Sequence, residues 1–264
     1  MEQTIKVLFI GAGRMSQAII AGLVKDSRFE ISVTNNGNQK RLINLQDTYD
    51  VAVKTEWEKE LTTFNIIVLA MPPEAHDEVL RLINPIIDGQ LVITVAAGIG
   101  PTQLEQQLPK GTPVAWIMPN TAAELGQSTT LYTLGQYVQS FHQNVVEDLI
   151  KGIGVFEKVS EQQIHELTPI TGSAPAFIYE IAESLVNSAL ESGITEDKAR
   201  KLVAEMIGGA ASMLKTGQSP KELKDQVATP GGVTWAGLNV LKENNLDGLM
   251  RDAIDACHKK AKRE

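Results

Sequence analysis

The feature that most constrains this chain is a glycine turn set between a strand-like run and a helix-like run near its start. Val7, Leu8, Phe9 and Ile10 are succeeded by Gly11, Ala12, Gly13, Arg14, Met15 and Ser16, and then by the helical stretch Gln17 to Lys25. A strand that turns on glycine into a helix N-terminus presents free N–H groups to an anion, which is how dinucleotide-binding folds hold a pyrophosphate. Gly11 suits the tight turn, and Gly13 lets the backbone come close to the phosphates. Ser16 takes the third small position, where close packing of helix on strand is needed. The context of a preceding strand and a succeeding helix makes the pattern informative, because isolated glycine spacings are weak signals.

The next 150 or so residues agree with that start. Short β-branched runs at Val7–Ile10, Ile31–Thr34, Val51–Val53, Ile66–Ala70, Leu91–Val95 and Val114–Ile117 alternate with amphipathic stretches, and shorter runs come at Thr129–Tyr132 and Gly154–Glu157. Such alternation predicts a parallel sheet covered by helices. After about Ser160 the strand signal stops. The expectation is an α/β chain with an N-terminal Rossmann-type dinucleotide-binding domain over residues 1–160 and an all-α domain over 161–264. In the helical half, Phe177, Ile181, Leu185 and Ala189 recur with Ile178, Ala182, Val186 and Leu190 beside them. Leu202, Val203, Met206, Ile207, Ala210, Met213 and Leu214 form a second wide stripe, in a helix expected to start at the cap Thr195 and stop at Gly217. A helical domain this small has too little interior for two such faces, so part of them is expected to meet a second subunit, giving a homodimer or an oligomer of dimers.

Composition narrows the classes of partner. A net charge of −8 disfavours nucleic acid and membrane surfaces, which require clustered Lys and Arg, so a small-molecule partner is expected. No run is long enough to span a bilayer, and the opening residues lack the pattern of a secretory leader. Cys257 is the single cysteine, which excludes an intramolecular disulfide and makes the cytoplasm the expected compartment. His76, His142, His165 and His258 are far apart in sequence, so no metal site is expected and each reads as a surface or packing residue.

Cofactor choice is read from the second strand. An NAD enzyme usually places Asp or Glu about 20 residues beyond the glycine turn, on the ribose hydroxyls. Here stand Thr34, Asn35, Asn36 and Gly37. Without a carboxylate a 2′-phosphate is not repelled, so NADPH is the expected cofactor, held with help from Asn35, Asn36, Arg14, Lys40 or Arg41, and NADH is the alternative. Ligands in open sheets collect at the carboxyl ends of strands. Ala70, Met71 and Pro72, then Ala96, Ala97 and Gly98, then Met118, Pro119 and Asn120 are therefore expected to line the cofactor, with Asn120 orienting its carboxamide.

In the helical half, Thr229-Pro230-Gly231-Gly232-Val233-Thr234 stands out. Thr229 reads as an N-cap and Pro230 as the first residue of a helix running toward Glu243. The glycines are costly at such a place, and a helix N-terminus with bare amides suits a carboxylate.

The stretches TPGGVTWAGLNVL at Thr229–Leu241, MPNTAAELGQSTT at Met118–Thr130 and TGSAPAFIYEIAESL at Thr171–Leu185 closely resemble pyrroline-5-carboxylate reductases. The resemblance runs nearly end to end and implies a Rossmann domain joined to an intertwined helical dimerisation domain. It implies reduction of 1-pyrroline-5-carboxylate to L-proline, the last step of proline biosynthesis, with hydride from a reduced nicotinamide. It also implies that Thr234 supplies the hydroxyl at the imine nitrogen. Thr229 then replaces a family serine, Gly231, Gly232 and Val233 hold the substrate carboxylate, and the pocket forms at a dimer interface.

The sequence departs from the family pattern at Pro72, where Lys is common before a proline, at Asn36, where Arg is common, and at Thr171 and Ala174, which replace serine and glycine. Two other readings compete with this one: a catalytically weak, reductase-like regulator, and a β-hydroxyacid-dehydrogenase-like enzyme. The second needs a lysine on the interdomain helix, and none lies between Ala176 and Ser192.

Overall fold

The computed structural model describes residues 4–261. Its first compact unit extends through Gly172, and the second covers Ser173–Lys260.

The first unit is built on an eight-stranded sheet of order β3-β2-β1-β4-β5-β6-β7-β8. Its strands are β1 (Ile5–Ile10), β2 (Phe29–Thr34), β3 (Ala52–Val53), β4 (Ile66–Leu69), β5 (Leu91–Thr94), β6 (Val114–Met118), β7 (Ser128–Leu134) and β8 (Gly154–Lys158). From β3 to β6 the neighbours are parallel, in the order that defines a Rossmann sheet. The all-parallel expectation fails at one place: β7 runs antiparallel to β6, and β8 is parallel to β7. The β6–β7 link holds only a 3₁₀ turn at Thr121–Leu125, closed by Gly126 at φ 69°. A parallel pair needs a crossover of a dozen or more residues, so this link returns the chain as a hairpin.

Helices cover both faces: α1 (Arg14–Leu23), α2 (Gln39–Tyr49), α3 (Trp57–Glu60), α4 (His76–Ile83), α5 (Pro101–Gln107), α6 (Ser140–Lys151) and α7 (Glu161–Thr168). The period-2 alternation of β1 sends Val7 and Phe9 into a core with Ile19 and Ile20 of α1, and Leu149 and Ile150 of α6. Leu8 and Ile10 enter the opposite core with Leu80 and Ile83 of α4. Residues of β4 and β5 are buried along their whole length, which explains why these strands read as unbroken apolar runs in sequence. Each such side chain contributes about 1.5–3 kcal/mol by leaving water. Ile164 of α7 closes a third cluster with Trp116 and Leu131, so α7 belongs with the sheet.

A π-helical turn, Pro169–Ser173, precedes α8 (Ala174–Leu190). The second unit continues with α9 (Glu196–Leu214), α10 (Pro220–Val227), α11 (Val233–Glu243) and α12 (Leu246–Ala261). The Thr195 hydroxyl caps α9 at the Lys198 amide, and Gly217 adopts φ 86° just beyond its end. Among the described residues of this unit, Ala199 and Val203 are the buried hydrophobics, whereas Ile178, Ile181, Leu185, Leu202, Met206 and Met213 are exposed. A two-residue interior does not support an independent globule.

Candidate active site

The glycine turn ends β1 and starts α1. Gly11 has φ 116°, and a Cβ there would stand 2.6 Å from the Ala70 carbonyl oxygen. Only glycine lets this turn lie against the exit of β4. Ser16 is fully buried, and its hydroxyl donates to the Gly11 carbonyl at 2.6 Å, so the third small residue ties the turn as well as allowing close packing. Gly13 is the N-cap of α1, with no side-chain cap, and a Cβ at Gly13 would meet nothing within 4 Å. Open space in front of uncapped N–H groups fits a dinucleotide pyrophosphate. Arg14 beside it is exposed and Met15 half-buried.

At the exit of β2, the Asn35 side chain accepts from the Ala12 amide at 3.4 Å, joining this turn loosely to the glycine turn. Asn36, Lys40 and Arg41 are exposed, and no carboxylate occurs from Asn35 to Arg41. At the exits of β4 and β5, Ala70 and Met71 are half-buried, while Pro72, Ala97 and Gly98 are exposed. These residues share the carboxyl edge of the parallel sheet with the glycine turn, as β1, β4 and β5 are neighbours in register.

Asn120, after β6, has its amide engaged within the chain. Its Oδ1 accepts from the Ala122 amide at 3.1 Å, and its Nδ2 donates to the Thr171 carbonyl at 2.9 Å. The side chain thus anchors the π-helical turn, a contact between residues 51 apart that no local pattern announces. His76 is equally unreadable from its neighbours in sequence, where it passes for an ordinary packing residue. It is wholly buried between the exits of β4 and β5.

In the second unit the expectation for Thr229 and Pro230 needs correction. Thr229 is not an N-cap and Pro230 is not helical. Thr229 to Gly232 form a turn, closed by the Gly232 amide donating to the Thr229 carbonyl at 2.9 Å. Gly232 is the N-cap of α11. Pro before a glycine at φ 77° is the pairing that a type II turn demands. The glycines are explained by the same geometry: Gly231 supplies the positive φ, and a Cβ on Gly232 would stand 2.8 Å from the Thr229 hydroxyl. No side chain caps the first N–H groups of α11, and Val233 and Thr234 at its start are both exposed. Thr234 is the second residue of this helix.

Among the described residues no group of His, Cys, Asp and Glu could hold a metal ion, and no helix is long and apolar enough to cross a membrane.

A Rossmann sheet with an uncapped glycine-turn helix, joined in sequence to an exposed apolar helical unit, defines a nucleotide-dependent oxidoreductase with a helical dimerisation domain. Residues 6–98 match the family model described as NADP oxidoreductase, coenzyme F420-dependent, and residues 161–264 match that for pyrroline-5-carboxylate reductase dimerisation. The chain is 34% identical to pyrroline-5-carboxylate reductase 1 of Bacillus subtilis over 97% of its own length and 88% of that protein's. It is similar to the solved pyrroline-5-carboxylate reductase of Streptococcus pyogenes, at 31% identity and a TM-score of 0.89, with 99% of each chain covered. It is also similar to the Plasmodium falciparum pyrroline carboxylate reductase solved with NADP bound, at 25% identity and a TM-score of 0.89, with 100% of this chain and 99% of that one covered. The chain belongs to the pyrroline-5-carboxylate reductase family and is an oxidoreductase acting on a C=N bond.

Proposed function

We propose that the chain, as a homodimer or an oligomer of dimers, reduces 1-pyrroline-5-carboxylate to L-proline with NADPH, and that Thr234 serves the reacting nitrogen. The observation that carries this reading is the uncapped start of α11, where an exposed Thr234 sits among free backbone amides behind the Gly231–Gly232 turn. Amides at a helix N-terminus attract a carboxylate, and the substrate is a ring carrying one carboxylate and one imine. In this reading Thr229, Gly231, Gly232 and Val233 bind the substrate at its carboxylate.

A bound NADPH supplies the hydride that goes to the imine carbon, and a solvent proton completes the ring amine. As charge collects on nitrogen, the Thr234 hydroxyl holds the ring in reacting position, which lowers the barrier by orientation. An imine that takes its proton from solvent before hydride arrives needs no acidic side chain to supply it.

The cofactor would be held by Gly11, Gly13, Arg14 and Met15 at the pyrophosphate, by Asn35 and Asn36 near the 2′-phosphate, and by Ala70, Met71, Pro72, Ala97 and Gly98 along the nicotinamide side. Asn120 retains one amide hydrogen for the carboxamide. The preference for NADPH is supported by the absence of a carboxylate after β2 and by the NADP bound to the Plasmodium falciparum relative. The domain roles are a nucleotide domain, expected over 1–160 and in the structure also carrying α7, and a helical dimerisation and substrate domain, expected over 161–264 and compact as a unit from Ser173, in a cytoplasmic enzyme that engages neither nucleic acid nor membrane.

Thr234→Ala tests the assignment. It should lower imine reduction by about ten- to a hundredfold and leave the NADPH dissociation constant unchanged, with Thr234→Ser recovering most of the rate. Equal rates for Thr234→Ala and the parent protein remove Thr234 from this role.

A further inference from the structure

His76 is the first residue of α4 and is fully buried, as is Thr94, the last residue of β5. The imidazole bridges two loops at the carboxyl edge of the sheet. Its Nδ1 lies 3.2 Å from the Pro72 carbonyl oxygen, after β4, and its Nε2 lies 3.0 Å from the Thr94 hydroxyl. That hydroxyl in turn accepts from the Ala96 amide at 3.2 Å.

Chemistry assigns every proton along this line. The Pro72 carbonyl can only accept, so Nδ1 carries a hydrogen. Burial pushes the imidazole pKa down and favours the neutral ring, which leaves Nε2 as an acceptor. The Thr94 hydroxyl has one hydrogen, which goes to Nε2, and its oxygen takes the Ala96 N–H. The line Ala96 N–H to Thr94 to His76 to the Pro72 carbonyl therefore has one direction and no unused donor. It joins the Ala70–Pro72 segment to the Ala96–Gly98 segment, the two stretches whose exposed residues face the space beyond the carboxyl ends of β4 and β5.

We propose that His76 and Thr94 are positioning residues for the nicotinamide cofactor: their hydrogen-bonded relay fixes the spacing of the Pro72 and Ala97–Gly98 loops between which the cofactor's reactive end is seated. The inference rests on the reading that NADPH binds at this edge. Neither side chain touches the cofactor; the relay acts through the backbone of Pro72 and Ala96. Sequence could not show it, because His76 and Thr94 are 18 residues apart on different elements.

The test measures NADPH affinity by quenching of tryptophan fluorescence, together with imine turnover and melting temperature, for His76→Phe, Thr94→Val, the double variant and His76→Asn. Each of the first two should raise the NADPH dissociation constant by about tenfold, the worth of one internal hydrogen bond, with the imine KM within about threefold of the parent's. The double variant should be no worse than the poorer single one, since both cut the same line. His76→Asn, whose amide reaches the Pro72 carbonyl, should recover part of the affinity. A merely structural role would lower the melting temperature and leave NADPH affinity in place, and that result overturns the inference. So does a double variant whose loss is the product of the two single losses. Thr94→Val keeps the test open if His76→Phe does not fold. If the parent binds NADPH but leaves the imine unreduced, the reading of the reaction fails while the affinities still decide the relay.

Discussion

The Ser16 hydroxyl donates to the Gly11 carbonyl across the first turn of α1 at 2.6 Å, so the residue that closes the glycine fingerprint also locks its first glycine in place. Gly11 and Gly13 consequently serve different ends, and substitution separates them. Gly11→Ala forces a Cβ against the Ala70 carbonyl at a φ that side chains avoid, so it should destabilise the fold by several kcal/mol, about 2–4. Gly13→Ala meets open space and should melt near the parent temperature, yet bind NADPH at least about tenfold more weakly because the methyl stands where phosphate approaches. Thermal unfolding and a cofactor titration on the same samples check both outcomes.

Stability should depend on acid through Glu147. Its carboxylate accepts from Tyr132 at 2.5 Å and from Gln143 at 2.8 Å, and these bonds hold its pKa below the usual 4.5. A depressed carboxylate stabilises the folded state fully above pH 4.5 and ceases to do so as pH falls through the lower folded value. Tyr132→Phe should cost about 1 kcal/mol at neutral pH, a modest figure because the carboxylate is partly exposed. The cost should shrink below pH 4.5. Urea unfolding of both proteins at the two conditions measures it.

Leu202 and Met206 lie one turn apart on α9 and are 62% and 50% exposed in the single chain. If the dimer covers this face, Leu202→Glu with Met206→Glu should yield monomers that melt earlier and turn over little imine. Sedimentation velocity decides it, and a variant that stays dimeric with full activity contradicts the assignment of this face.

Most of the sheet is legible in the sequence because its strands are buried on both sides and stand out as β-branched runs: the runs Ile66–Ala70 and Leu91–Val95 overshoot the strands Ile66–Leu69 and Leu91–Thr94 by a single residue. The reversal of β7 is not, since direction depends on the length and shape of the Pro119–Gln127 link rather than on the strand's own residues. At the candidate site, the Gly11–Ser16 segment is local and can be read directly. Pro230 and Gly231 look alike at a helix start and in a type II turn, and only the backbone decides between them. Asn120 with Thr171, and His76 with Thr94, are contacts across the fold, so their residue types carry no trace of the partnership.

The most direct measurement is steady-state oxidation of NADPH by the purified protein with 1-pyrroline-5-carboxylate as acceptor, repeated with NADH. The expected result is loss of the reduced-nicotinamide absorbance only when the imine is present, formation of one proline per NADPH consumed, and a lower KM for NADPH than for NADH. NADPH binding without imine-dependent oxidation would contradict the proposed reaction, and a lower KM for NADH would contradict the reading of Asn35 and Asn36.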